Sequence, residues 1–381
     1  MNNSTDSVYR ICSRTVMDTI GDPDIRFDDK GICNYYYEFI AKLKIRVPEP
    51  NDAKKQLDSL IAKMKAKGKG RSYDCIIGVS GGVDSTYTAW VVKQLGLRPL
   101  AVHLDNGWNS ELAVQNIENI LNKLGIDLVT EVLDWDMFRD LQLSFLKAST
   151  PDGEIPTDHA INTLMYNLAS KHGVKYIISG MNSRSEGMLP PSWARGHLDW
   201  KYIKNVQKIF GTKSLKFYPH LTVPKFLYYN LVKRIRVISI LNYIDFKKEE
   251  ASEIISKELG WRKYGGKHYE SIYTRFYQSF ILPEKFNIDK RKAHLTCLLI
   301  STGEVTREQA LEMLKQPTAD PQMITDDKEY VVKKLEITAE EFDRIMKDPV
   351  KSILDYPNNY SLDMKFRKLL NKLREKNILP N

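Results

Sequence analysis

Ser80-Gly81-Gly82-Val83-Asp84-Ser85 gathers two hydroxyls, adjacent glycines and a carboxylate into one short string. Residues 73–79 before it read as a buried strand and residues 86–95 after it as a helix, so the string is a strand-to-helix turn. The glycines let the backbone approach a ligand closely and take positive φ. The serine hydroxyls and the free N–H groups of the new helix then form a cradle for an anion, of which phosphate is the natural example. The P-loop signature differs, since it needs four residues between its glycines and a lysine beside Ser/Thr.

Three further strings carry polar side chains where the surrounding pattern places strand ends or helix starts. Asp105, Asn106, Trp108 and Asn109 follow a strand at 99–104. Gly180, Asn182 and Glu186 follow a strand at 174–179. Thr157, Asp158 and His159 open a helix at about 158–172, with Thr157 or Asp158 as its N-cap. A helix at 110–124 and a strand at 127–133 complete a strand–helix alternation. The expected fold is α/β, a parallel twisted sheet with helices on both faces, whose ligands sit beyond the carboxyl ends of the strands.

With 381 residues, 42% of them hydrophobic, the chain has length for two or three domains. The expected division is 1–50, a turn-rich segment; 51–220, the sheet domain; and 221–381, mostly helical. A net charge of +9 favours an anionic partner, but the excess is spread along the chain, so a nucleotide or sugar nucleotide fits as well as RNA. The most apolar long stretch, 226–246, carries Lys233, Arg234 and Arg236 in its middle, which argues against a membrane span. Together with the absence of a leader pattern, this gives the expectation of a soluble cytoplasmic protein without membrane insertion. Cys12, Cys33, Cys75 and Cys297 are too scattered for a disulfide framework. Cys12 and Cys33 each stand first in a Cys-x-x-x string whose fourth residue is Thr15 or Tyr36, so zinc is not expected. Toward the C-terminus, Gly265-Gly266 offers a mobile loop beside Lys267, His268 and Glu270. Arg275, Arg291 and Lys292 are further cations for phosphate or substrate.

Taken together, these strings resemble the N-acetyl sugar amidotransferases of bacterial surface-polysaccharide (LPS O-antigen) biosynthesis, in the PP-loop ATP pyrophosphatase superfamily. The resemblance runs over nearly the whole chain. Asp105 to Glu111 and Tyr264 to Ser271 are its more particular motifs; the missing second cysteine of each front pair is its main departure. It implies a PP-loop/HUP-like Rossmannoid fold and conversion of an acetamido group into an acetamidino group, with release of AMP and pyrophosphate. The substrates implied are ATP with Mg²⁺, a nucleotide-linked N-acetyl sugar, and ammonia from a separate class I glutaminase similar to that of histidine biosynthesis. Nucleic acid is not expected.

On this resemblance Ser80, Gly81, Gly82, Asp84, Ser85, Asp105, Gly180 and Asn182 bind ATP, with Asp84 nearest Mg²⁺. Asp84, Lys267, His268 and Glu270 are the catalytic candidates, with His159 and Glu270 as proton acceptors for ammonia. Asn106, Trp108, Asn109, Thr157, Asp158, His159 and Glu186, with the three downstream cations, face the sugar nucleotide. Two other classes remain: a PP-loop enzyme that thiolates a tRNA base, which would need a reactive cysteine, and a non-catalytic nucleotide-binding protein.

Overall fold

Strands that are apolar on both faces belong inside a sheet covered on both sides, and the chain builds one. The computed structural model describes residues 9–265 and 269–361. Five strands, β1 (Cys75–Gly78), β2 (Pro99–Asp105), β3 (Asp127–Val132), β4 (Tyr176–Ser179) and β5 (Arg236–Ser239), form one parallel sheet in the order β3-β2-β1-β4-β5.

The two-residue strand period divides the core. Ile76, Leu100, Val102 and Ile177 point to one face, in a cluster with Leu164 and Leu168 of the helix Ile155–Lys171. Cys75, Ile77, Ala101 and Ile178 point to the other, with Ala89 and Val92 of the helix Val83–Gln94. The first cluster is continuous from Cys12 to Tyr356, so the N-terminal and C-terminal regions pack into the same core as the sheet.

Several expectations are adjusted. The sheet does not end at residue 220, because β5 adds an edge strand from within the 226–246 stretch. The front segment contains a helix, Asn34–Arg46, after its turns. The helix expected from about residue 158 begins at Ile155 with Glu154 at the N-cap, since Pro156 fits the first turn, where its missing N–H costs nothing. Thr157 and Asp158 therefore lie inside that turn. In the front segment, Cys12 Sγ accepts from the N–H groups of Arg14 (3.4 Å) and Cys33 (3.2 Å), and Thr15 Oγ1 lies 3.7 Å from Cys33 Sγ. Sulfhydryl contact with Cys33 lowers the Cys12 thiol and raises that of Cys33. Among the described residues no group of three or more His, Cys, Asp or Glu is placed to hold a metal ion, and no helix is long and apolar enough to cross a membrane.

Candidate functional site

The sheet order reverses direction between β1 and β4, and that switch point opens a crevice at the carboxyl edge. The turn after β1 enters it. Gly81 takes φ +81°, and Gly82 is the N-cap of Val83–Gln94, which puts Asp84 in the first turn at the positive end of the helix dipole. Ser80 N–H donates to Ser85 Oγ (3.2 Å), the two hydroxyl oxygens are 3.1 Å apart, and the Ser85 hydroxyl donates to the Gly82 carbonyl (3.2 Å). The loop is thus closed on itself with both hydroxyls on one side.

Close packing explains the glycines. A Cβ on Gly81 would stand 2.8 Å from the Ala113 carbonyl oxygen and 2.9 Å from Tyr264 Oη; one on Gly82 would stand 2.9 Å from Glu270 Oε1. At the other side of the crevice, a Cβ on Gly180 would crowd Ser85 N at 3.2 Å, so the end of β4 lies against the first turn of the loop helix. Asn182, buried beside it, accepts from Arg184 N–H (2.9 Å) and donates through Nδ2 to Ser185 Oγ in its own turn (3.2 Å).

Residues far along the chain complete the loop. Trp261 Nε1–H donates to the Gly81 carbonyl (2.8 Å), and the Tyr264 hydroxyl donates to the same oxygen (3.1 Å). Asn116 pins that segment by exchanging two 2.9 Å hydrogen bonds with the Arg262 backbone. Ser110 N–H donates to the Glu270 carbonyl and Ile272 N–H to that of Trp108, so the strand-end loop of β2 is stitched to residues 270–272. Together these walls enclose a cleft of about 690 Å³ that holds Ser80, Gly82, Asp84, Ser85 and Glu270. Lys247, Lys248 and Lys263 also line it. Sequence reading missed these three cations, because each sits in a charged run indistinguishable from a solvated surface.

The other nominated residues divide. Asp105 Oδ1 accepts from Gly107 N–H (2.9 Å) and Asn109 Nδ2 (3.2 Å), and Asn106 Nδ2 donates to Thr157 Oγ1 (2.9 Å), bringing the β2 loop to the start of Ile155–Lys171. Glu186 closes the short helix Ser183–Glu186 and does not line the cleft. Trp108 is a core residue, 1% exposed, packed against Trp135 and Tyr273 rather than presented to a ligand. His159 is fully buried between Trp200 and Tyr218. Its Nδ1–H donates to the His197 carbonyl (2.8 Å) and its Nε2 accepts from Leu221 N–H (3.0 Å). Burial lowers it to about 4, so it is a neutral framework residue and not a proton acceptor for ammonia.

Three of the expected cations are used internally. Arg275 forms a two-pronged ion pair with buried Asp327 (2.7 and 2.5 Å), Arg291 pairs with Asp289 and the carbonyls of Leu314, Gln316 and Pro317, and Lys292 holds both oxygens of Asp18 (2.8 and 2.7 Å). They fasten the C-terminal helices and the front segment. Lys267 and His268 lie outside the described residues. Cys75 and Cys297 are both fully buried, and burial raises the Cys75 thiol, so neither has the exposed thiolate a sulfur carrier needs.

Residues 270–373 match the C-terminal domain of WbpG-like LPS biosynthesis proteins. This match bears out the resemblance to the surface-polysaccharide family. An uncharacterised protein of Methanocaldococcus jannaschii is 24% identical over 305 residues, which are 77% of this chain and 88% of that one. A glutamine-hydrolysing GMP synthase of Pyrobaculum aerophilum is 32% identical over 108 residues, 28% of this chain, and the match spans 21% of the synthase. Among solved structures, NMN synthetase of Francisella tularensis has a TM-score of 0.28 at 15% identity, covering 57% of this chain and 89% of the synthetase. A predicted tRNA methyltransferase subunit of M. jannaschii has a TM-score of 0.27 at 16% identity, covering 48% and 75%. At such scores neither structure bears on function.

Proposed function

We propose that this chain is an ATP-dependent, AMP-forming amidotransferase that converts the acetamido group of a nucleotide-linked N-acetyl sugar into an acetamidino group. One observation carries the reading: the turn at Ser80–Ser85 is packed against Trp261, Tyr264 and Glu270, and residue 270 is where the match to the polysaccharide-biosynthesis domain begins. The nucleotide-binding turn and the domain that marks the biosynthetic role thus share one cleft.

The chemistry follows from the poor reactivity of an amide. Its carbon is a weak electrophile and its oxygen a poor leaving group, so the oxygen attacks the α-phosphorus of ATP and pyrophosphate departs; ammonia then displaces AMP. The cradle's N–H and hydroxyl groups would hold the departing phosphates, with Lys248 and Lys263 of the cleft lining balancing their charge. Mg²⁺ brought with ATP would spread that charge further, and Asp84 is the carboxylate within the cradle suited to hold it. Lys267 and His268 adjoin Glu270 in sequence and remain candidates for the reacting phosphate.

Nitrogen would come from a separate class I glutaminase, because none of the four cysteines sits in a Gly-x-Cys-x-Gly elbow. The glutamine-hydrolysing name of the GMP synthase relative supports such a partnership. The test is incubation of the full chain with ATP, Mg²⁺, ammonium and a panel of nucleotide-linked N-acetyl sugars. Mass spectrometry should find AMP and a sugar lighter by the difference between an oxygen atom and an NH group. Transfer of sulfur to tRNA, or no AMP formed with any sugar, would overturn the reading.

A further inference from the structure

The stretch between Asp199 and Asp245 takes no part in the reaction described above, and its charge is one-sided. It carries nine lysines and arginines and not one Asp or Glu, in a chain with 48 acidic residues. Its later part lies lengthwise along the helix Ile155–Lys171. The Tyr218 hydroxyl donates to the Pro156 carbonyl at the start of that helix. Farther along it, the Tyr229 hydroxyl donates to Asn167 Oδ1 (2.8 Å) and its ring stacks on Tyr166, and just beyond its end Lys175 Nζ donates to the Lys233 carbonyl (2.8 Å).

That anchoring uses one side of the segment, and much of what it leaves outside is apolar. The helix Val223–Leu227 runs directly into the wider helical turn Tyr228–Val232. Tyr229 is buried, whereas Val223, Tyr228, Leu231 and Val232 are exposed, the last two by 68% and 67%. Val237, on the edge strand β5, is exposed as well. A surface helix ordinarily turns polar side chains outward, so one that is apolar inside and outside has a second apolar medium to meet. Cations frame this face. Lys233 Nζ stands 5.7 Å from the centre of the Tyr228 ring, and Arg234 and Arg236 next to it in sequence are exposed. Burial, then the charges of Arg71, Lys233, Lys67 and Arg234, lower the Lys175 ammonium, so the end of the helix Pro50–Gly68 adds to the same basic field.

We infer that this face lies on an anionic lipid bilayer, with Tyr228, Leu231 and Val232 entering the headgroup boundary and Lys233, Arg234 and Arg236 answering the lipid phosphates. Charge complementarity selects the occupant. A second copy of the chain would set cations against cations. A nucleic acid would answer the charge but leave Leu231 and Val232 facing phosphate, and protein interfaces anchor on aromatic and arginine side chains rather than on Leu and Val. A bilayer surface offers negative headgroups and an apolar layer together. The three charges that interrupt the 226–246 stretch and argue against a span are what a segment lying flat on a membrane needs. None of these residues lines the cleft, so the inference is separate from the proposed amidotransfer and stands or falls by itself.

Flotation of the full chain with lipid vesicles tests it. The chain should rise with vesicles of phosphatidylethanolamine and phosphatidylglycerol, stay behind with vesicles of phosphatidylcholine alone, and be released as NaCl is added. Leu231→Ser with Val232→Ser, and separately Arg234→Glu with Arg236→Glu, should each lower the ratio of bound to free chain by roughly tenfold or more. All four side chains are exposed, so Tm should stay within about 2 °C of wild type and pyrophosphate release should be unchanged. Equal flotation of the wild-type chain with both vesicle types, or no flotation with either while it takes up RNA or an acidic protein, would overturn the inference. Flotation that both folded double variants retain would overturn it too.

Discussion

Trp261 donates its indole N–H to the carbonyl of Gly81 across 180 residues of sequence, at 2.8 Å. The bond fixes the peptide that gives the loop its positive φ and ties the cleft's far wall to its floor. Trp261→Phe keeps the ring in its apolar surroundings and deletes the donor, leaving Tyr264 as the remaining partner. The expected cost is about 1 kcal/mol of stability, with a rise of roughly fivefold in KM for ATP. Urea unfolding and pyrophosphate release read the two effects, and an unchanged KM would show that the wall does not shape the nucleotide site.

The Val83–Gln94 helix is capped by Gly82 and packed through Ala89 and Val92, and asparagine keeps the size and shape of Asp84 at its first turn. Asp84→Asn should therefore fold normally while losing roughly two orders of magnitude in pyrophosphate release, about 3 kcal/mol of transition-state stabilisation. Turnover equal to wild type would remove Asp84 from the phosphate chemistry.

Arg275 and Asp327 show why charge in a suggestive motif is a poor guide to ligand contact. The guanidinium and carboxylate are 18% and 5% exposed, and their pairing joins the helix Ile272–Phe276 to Pro321–Lys334. Removing one partner strands a buried charge, so Asp327→Asn should cost about 3–5 kcal/mol. Double replacement by uncharged residues of similar volume should recover part of that loss. If instead Asp327→Asn left stability intact and impaired only sugar-dependent turnover, Arg275 would return to the substrate site.

Local pattern was enough for β1, β2 and β4, because each is a largely apolar run bounded by turn residues, and for the exposed edge strand β3, which follows a helix in the strand–helix alternation. β5 was illegible since Arg236 and its basic neighbours interrupt the apolar stretch, a composition that suits an edge strand with one side in water. The Ser80–Ser85 turn was legible for a similar local reason: its strand, glycines and helix are consecutive. The partners of Arg275 and Lys292 lie 52 and 274 residues away, and no short-range signal distinguishes a cation awaiting phosphate from one awaiting a distant aspartate. Asp152 and Glu154 read as loop residues in the sequence, and their approach to Lys290 emerges only from the fold.

Two opposed titrations should shape stability against pH. His159 falls from 6.5 to about 4 on folding, so between those values the unfolded chain binds a proton that the folded chain does not, and stability is lost as pH falls through that window. Glu154 goes the other way, from 4.5 up to about 7, mainly through desolvation. There the folded chain holds the extra proton, so its contribution is complete below the unfolded value and is lost as pH rises toward 7. Glu154→Gln imitates the protonated acid at every pH. Its Tm should match wild type near pH 4.5 and exceed it at pH 8, the gap opening between those limits. His159→Gln should instead flatten the acid limb of the wild-type profile. A Glu154→Gln gap that stayed constant from pH 4.5 to 8 would mean that this carboxylate titrates as it does in water.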